Sequence, residues 1–152
     1  MGRLSGKLAS YRLVGLDTSI FIYQFEDHPI YRPLASEILD GVERGKWEAV
    51  TSVITLMEIA VRPFQIGSIQ AAREYEALLV NFPHLQILDL NRDMARGAAM
   101  LRAEFNLRPV DALQAAACLT KGCQAWVTND RMLKRLQSVL EVIILDDYLA
   151  EQ

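Results

Sequence analysis

Two rhythms of apolar and polar positions alternate along the chain. Short apolar runs recur at Arg12–Leu16, Glu48–Thr51, Gln86–Leu90, Ala125–Thr128 and Glu141–Leu145, the pattern of strands buried on both faces. Between them, apolar positions return every three or four residues, as on one side of a helix. After Pro33, Leu34, Ile38 and Val42 form such a stripe, which stops at Gly45. After Asp93, Met94, Ala98, Leu101 and Phe105 form another, with Arg96, Arg102 and Glu104 off it. A third helix is expected from Pro109, suited to a first helical turn, to Gly122, suited to a C-terminal stop. The stretch "RPFQIG" (Arg62–Gly67) is expected to separate two helices, and "NFPH" (Asn81–His84) to precede the third strand. The resulting order, β-α-α-β-α-α-β-α-α-β-α-β, predicts an α/β fold: a parallel sheet of about five strands covered by helices on both faces.

Composition narrows this picture. The chain has 152 residues, 51% of them apolar and 23% charged with both signs interspersed, which suits one folded domain rather than a disordered segment. No apolar run approaches the ~18 residues of a membrane span. The opening "MGRLSGKLAS" lacks the apolar stretch of a secretory signal and carries Gly6 where a myristoylation pattern needs Ser or Thr. Residues 1–10 are expected to be a loose basic tail and residues 11–150 a single domain. Cys118 and Cys123 have no companions at zinc-site spacing, so they are read as reduced thiols, which suits a cytoplasmic protein. A net charge of −3 means that any contact with a polyanion must use a local basic patch or bound cations.

Four carboxylates interrupt otherwise apolar segments. In "RLVGLDTSIFIYQF" the anion is Asp17, followed by Thr18 and Ser19; in "VITLMEIAV" it is Glu58; in "PVDALQAAACL" it is Asp111; in "AWVTNDRML" it is Asp130, preceded by Thr128 and Asn129. Each has a local explanation. Asp17 and Asp130 can cap helices, Asp111 can sit in a first turn, and Thr55 with Glu58 fits a capping box. Their conjunction calls for more. In an open α/β sheet, ligands lie beyond the carboxyl ends of the strands, and all four residues can reach that edge. Two unit charges ~4 Å apart repel by roughly 4 kcal/mol at an effective dielectric of 20. Divalent cations remove that conflict, and an all-oxygen donor set points to Mg²⁺ or Mn²⁺ rather than zinc. Such a site suits phosphodiester cleavage by a metal-activated water.

The stretches "LDTSIFI", "TSVITLMEIAVRP", "RPVDALQAA" and "VTNDRML" resemble, in order and spacing, the motifs of the PIN domain, and most closely its VapC-type toxins of toxin–antitoxin pairs. The likeness runs from about Arg12 to Leu145. It implies a three-layer α/β/α sandwich and a Mg²⁺- or Mn²⁺-dependent ribonuclease. Asp17, Glu58, Asp111 and Asp130 match the acidic positions in turn. Thr18, Ser19, Thr128 and Asn129 match the supporting polar ones. It further implies an RNA substrate, a cognate antitoxin that blocks the crevice, and a homodimer. Two departures stand out: the tail before the first strand, and Arg131-Met132-Leu133 where an acidic-aromatic pair often follows the last motif.

Arg62, Arg108, Lys121, Arg131, Lys134 and Arg135 lie near the motifs and could meet phosphates, or be ordinary surface charges. Tyr23, Phe25 and Phe64 could stack bases, whereas Trp126, inside a strand, is expected in the core. A haloacid-dehalogenase phosphatase would need an acid where Ser19 stands. A receiver domain would need an acidic pair near the first strand, and His28 and His84 lack a neighbouring nucleophile. The remaining alternative is a PIN-like module that binds or scaffolds in RNA processing without cutting.

Overall fold

The computed structural model describes residues 2–151. In chain order the elements are α1 (Arg3–Leu8), β1 (Leu13–Leu16), α2 (Thr18–Phe25), α3 (Arg32–Glu43), β2 (Glu48–Ser52), α4 (Val53–Gln65), α5 (Ile69–Val80), β3 (Leu85–Leu88), α6 (Arg92–Phe105), α7 (Pro109–Lys121), β4 (Ala125–Thr128) and β5 (Glu141–Ile144). Two 3₁₀ segments, Arg131–Leu136 and Leu145–Glu151, flank β5. The strands form one sheet in the order β3-β2-β1-β4-β5, and every pairing is parallel. The expected PIN-like three-layer α/β/α architecture is therefore present.

Period-2 alternation of the strands divides the interior into two cores. Val14, Leu16, Ala49, Ala125, Val127 and Ile143 face one way, toward α1, α2 and α3 with Ile59 of α4 and Leu79 of α5. Val50, Trp126, Val142 and Ile144 face the other, toward α6, α7 and the first 3₁₀ segment. Each core holds one tryptophan: Trp47 in the first, 2% exposed, and Trp126 in the second, 0% exposed. The Trp47 indole N–H donates to the Ile38 carbonyl at 3.2 Å, whereas that of Trp126 has no partner among the described residues. Two glycines permit close approaches in these cores. A Cβ on Gly41 would overlap the Trp47 ring, and one on Gly15 would overlap the Cys118 sulfur.

Four expectations need correction. Residues 1–10 are not simply a loose tail, because Arg3–Leu8 is helical with Leu4 and Leu8 buried, one turn apart, against the first core. The break expected at Arg62–Gly67 begins later: α4 continues through Pro63 to Gln65. Proline is tolerated there because the last turn is ending, and its carbonyl still accepts from the Ser68 N–H at 2.8 Å. The third strand is only half-buried and ends at Leu88, as befits an edge strand. The segment after β4 is 3₁₀ rather than α. Gly122 ends α7 in the left-handed region, at φ 83°, as its position suggests. Among the described residues no helix is long and apolar enough to cross a membrane.

Candidate active site

Because all strands run parallel, their carboxyl ends share one edge. The sheet order reverses between β1 and β4, and such a switch point opens a crevice. Asp17 lies immediately after β1 and Asp130 two residues after β4, so the two flank that crevice. Both are N-caps as well. Asp17 Oδ1 accepts from the Thr18 N–H at 2.8 Å, and Asp130 Oδ1 accepts from the Met132 N–H at 3.0 Å. Capping uses one oxygen of each carboxylate and leaves Oδ2 for other partners. Asp17 Oδ2 accepts from the Thr128 hydroxyl at 2.7 Å; Ser19 Oγ stands 3.5 Å from the same atom. Thr128 Oγ1 in turn accepts from the Asp130 N–H at 3.2 Å, which ties the two aspartates to one loop.

Glu58 joins the group through hydroxyls. Thr18 Oγ1 donates to Glu58 Oε1 at 2.6 Å. Behind it lies a buried polar ladder that the sequence did not announce. Thr18 and Thr55 hydroxyls are 2.9 Å apart and Thr55 and Thr51 2.7 Å, while Thr51 donates to the Leu16 carbonyl at 2.9 Å. Gln114 Nε2 donates to Thr55 Oγ1 at 3.1 Å and lies 3.3 Å from Thr18 Oγ1; Gln114 Oε1 accepts from Ser52 Oγ at 2.6 Å. With the Thr51 proton committed to Leu16 and the Thr18 proton to Glu58, Thr55 gives its own to one of its two hydroxyl neighbours. The Thr55–Glu58 capping box is therefore not formed. Ser52 caps α4 instead, accepting from the Ile54 N–H at 3.2 Å. Gln114 could have been found as the polar residue one turn beyond Asp111, on the same side of an otherwise apolar helix.

Asp111, in the first turn of α7, completes the set. Arg108 closes over it from the N-cap position. Its Nε donates to Asp111 Oδ2 at 2.8 Å and its Nη2 to Asp130 Oδ2 at 3.0 Å. The Arg108 side chain is 74% exposed, so the guanidinium lies on the solvent side of the two carboxylates. Burial pushes the Asp17 carboxyl up to about 6, and the charges of Asp111 and Glu58 add to the rise against the hydrogen bonds from Thr128 and Thr18. Asp17 thus feels the charges of Glu58 and Asp111, and Arg108 joins Asp111 to Asp130.

The remaining candidates divide. Asn129 turns away from the acids: it donates to the Tyr23 hydroxyl at 3.1 Å and accepts from the Asp146 N–H at 2.9 Å, fixing the loop. Arg131 pairs with Asp147 at 2.8 Å, Arg62 lies 3.6 Å from Glu26, and Arg135 donates to the Phe105 and Asn106 carbonyls. Phe25 stacks on Tyr75 at 5.0 Å, whereas Phe64 is 58% exposed. Cys118 and Cys123 are free and buried; their contact and burial push the Cys118 thiol up, away from reactivity.

The donor set fits a hard cation in its chemistry, since it is all oxygen and anionic, with hydroxyls fixing Asp17 and Glu58. Among the described residues, however, no three acidic, His or Cys side chains already converge in the manner of a formed ion site. A cationic guanidinium bridges two of the acids instead.

No curated protein matches the chain. The PIN domain family model matches residues 14–139. Solved structures with the same fold include a toxin–antitoxin complex from Klebsiella pneumoniae, 22% identical with TM-score 0.64, covering 87% of this chain and 97% of that one. VapBC2 from Rickettsia felis, bound to a promoter DNA fragment, is 20% identical with TM-score 0.65, covering 86% and 96%. VapC20 from Mycobacterium tuberculosis, a toxin that cleaves the sarcin–ricin loop, is 17% identical with TM-score 0.61, covering 74% and 86%. With the motifs in order, the parallel sheet in place and the family match spanning most of its length, this chain belongs to the PIN domain family.

Proposed function

We propose that the protein is a Mg²⁺- or Mn²⁺-dependent endoribonuclease and the toxin of a toxin–antitoxin pair. The observation that carries the reading is the linkage of Asp17, Glu58, Asp111 and Asp130 at one sheet edge through Thr18, Thr128 and Arg108. Asp17, Asp111, Asp130 and Glu58 would hold the ion. When bound, it would supply a water of lowered pKa and charge neutralisation for a phosphodiester. The chain's own part is positional. Thr18, held by the ladder behind it, fixes one Glu58 oxygen, and Thr128, accepting from the Asp130 N–H, fixes Asp17 Oδ2. Without a cation, Asp17 holds its proton through the mildly acid range.

An antitoxin partner is supported by the likeness to VapBC complexes and by the apolar side chains beside the site. Met57, Val61 and Phe64 form an exposed apolar stripe along α4, the helix that carries Glu58, a face that a partner covering the crevice would bury. We assign the protein to the cytoplasm and to a homodimer on the same grounds.

The test is cleavage of single-stranded RNA with Mg²⁺ or Mn²⁺. Activity is expected to vanish in EDTA. In Asp111→Asn it should fall by more than the ~10–100-fold typical of losing an outer partner of a metal ligand. Undiminished cleavage by that variant would reject the mechanism.

A further inference from the structure

Arg108 occupies a position that the ribonuclease reading does not explain. It precedes α7, reaches over Asp111 and Asp130 with two different nitrogens, and stays 74% exposed. Two features of this arrangement matter. The carboxylates it touches are the less exposed partners, with side chains 13% exposed at Asp111 and 33% at Asp130, and the guanidinium lies on their solvent side. On Asp130 the contact falls on Oδ2, the oxygen left over once Oδ1 caps the first 3₁₀ segment, and on Asp111 it also falls on Oδ2. A divalent cation drawn to this pair therefore finds a monovalent cation already there.

We propose that Arg108 is a displaceable internal counter-ion: it holds Asp111 and Asp130 together in the metal-free protein, and a divalent cation and the guanidinium exclude one another on that pair. The inference rests on the metal-site reading above and deepens it. Like charges repel the guanidinium from an incoming ion, and a lone pair that accepts N–H is closed to coordination. Being exposed, Arg108 can leave without breaking core packing. Once released it remains tethered at the mouth of the crevice, where a phosphate oxygen of a nucleic-acid strand can take over both N–H donors. One residue thus offsets part of the negative charge of the crevice at rest and contributes a phosphate contact when the crevice is loaded.

The measurement is Mn²⁺ binding to the full chain without RNA, by calorimetry and by the electron paramagnetic resonance of free Mn²⁺. Wild type is compared with Arg108→Gln and Arg108→Lys, after circular dichroism establishes that each is folded. Exposed ion pairs are individually weak, so removing the two contacts should tighten Mn²⁺ binding roughly three- to ten-fold in Arg108→Gln. Lys, able to present one point charge but no fork, should fall between. Raising the NaCl concentration should shrink the difference, because salt weakens the exposed pairs. Equal or weaker Mn²⁺ binding by Arg108→Gln would overturn the counter-ion role while leaving the metal site standing. Failure of wild type itself to bind Mn²⁺ at a site lost in Asp111→Asn would overturn both.

Discussion

Asp17 shows how one side chain can satisfy a local rule and a distant one together. Its Oδ1 accepts from the first N–H of α2, while its Oδ2 is held by Thr128 from another strand. That division explains why the sequence made the acid conspicuous but left its role undecided: both uses need the same residue type. Its carboxyl is pushed from 3.8 to about 6, chiefly by burial. A carboxyl with a raised folded pKa favours the folded state below the unfolded value. That contribution is lost as pH rises through the folded pKa. In metal-free protein, Asp17→Asn should therefore be stabilising at neutral pH, by at most about 3 kcal/mol for a shift of this size, and confer no gain below about pH 3. Thermal melts in EDTA at both pH values check this; an increment independent of pH would contradict it. The ladder of Thr51, Thr55 and Gln114 was illegible for the opposite reason. Hydroxyls and amides inside apolar runs carry no periodic signal, and the bonds that join them span five elements, β1, α2, β2, α4 and α7.

Among the elements, legibility followed burial. β1, β2, β4 and β5 were readable to within a residue or so because their cores require unbroken apolar runs. β3, at the edge and half-buried, was misplaced by one or two residues. The first helix was missed because "RLSGKL" offers two apolar anchors and a helix-disfavouring Gly6. It is helical because the first core has space for Leu4 and Leu8, not because of its own propensity. Its contribution should be correspondingly large. Leu8, fully buried, should cost about 2–5 kcal/mol when replaced by Ala, read as a lowered urea midpoint with unchanged slope. A cost under ~0.5 kcal/mol, typical of an exposed site, would mean that the helix is not docked in solution. The 3₁₀ form after β4 follows from Asp130: a cap there starts the turn, and Leu133 and Leu136, three residues apart, are buried from it.

Taken as a whole, the molecule is a sheet whose two faces do different work. The face toward α6 and α7 brings Asp111 and Gln114 to the edge; the face toward α2 and α4 brings Thr18, Thr55 and Glu58. The crevice therefore exists only when both layers are docked, and the hydroxyl–amide ladder crosses between them. Overall charge did not foretell this, since −3 spread over the surface says nothing of four acids gathered at one edge. The sequence revealed the acids through their apolar flanks; the docking of Arg108 over them became visible only in three dimensions.

The placement of the indoles has a practical consequence. Trp47 and Trp126 are the chain's two tryptophans, and each lies sealed on its own side of the sheet. Each variant carrying a single indole, Trp47→Phe or Trp126→Phe, makes fluorescence a local witness to one layer while circular dichroism follows the backbone at large. If the layers separate only when the entire fold does, the two signals will trace one curve within each variant. Should the emission of either indole redden at lower denaturant than the helical signal fades, that layer peels away first, and the crevice would come apart before the rest of the protein.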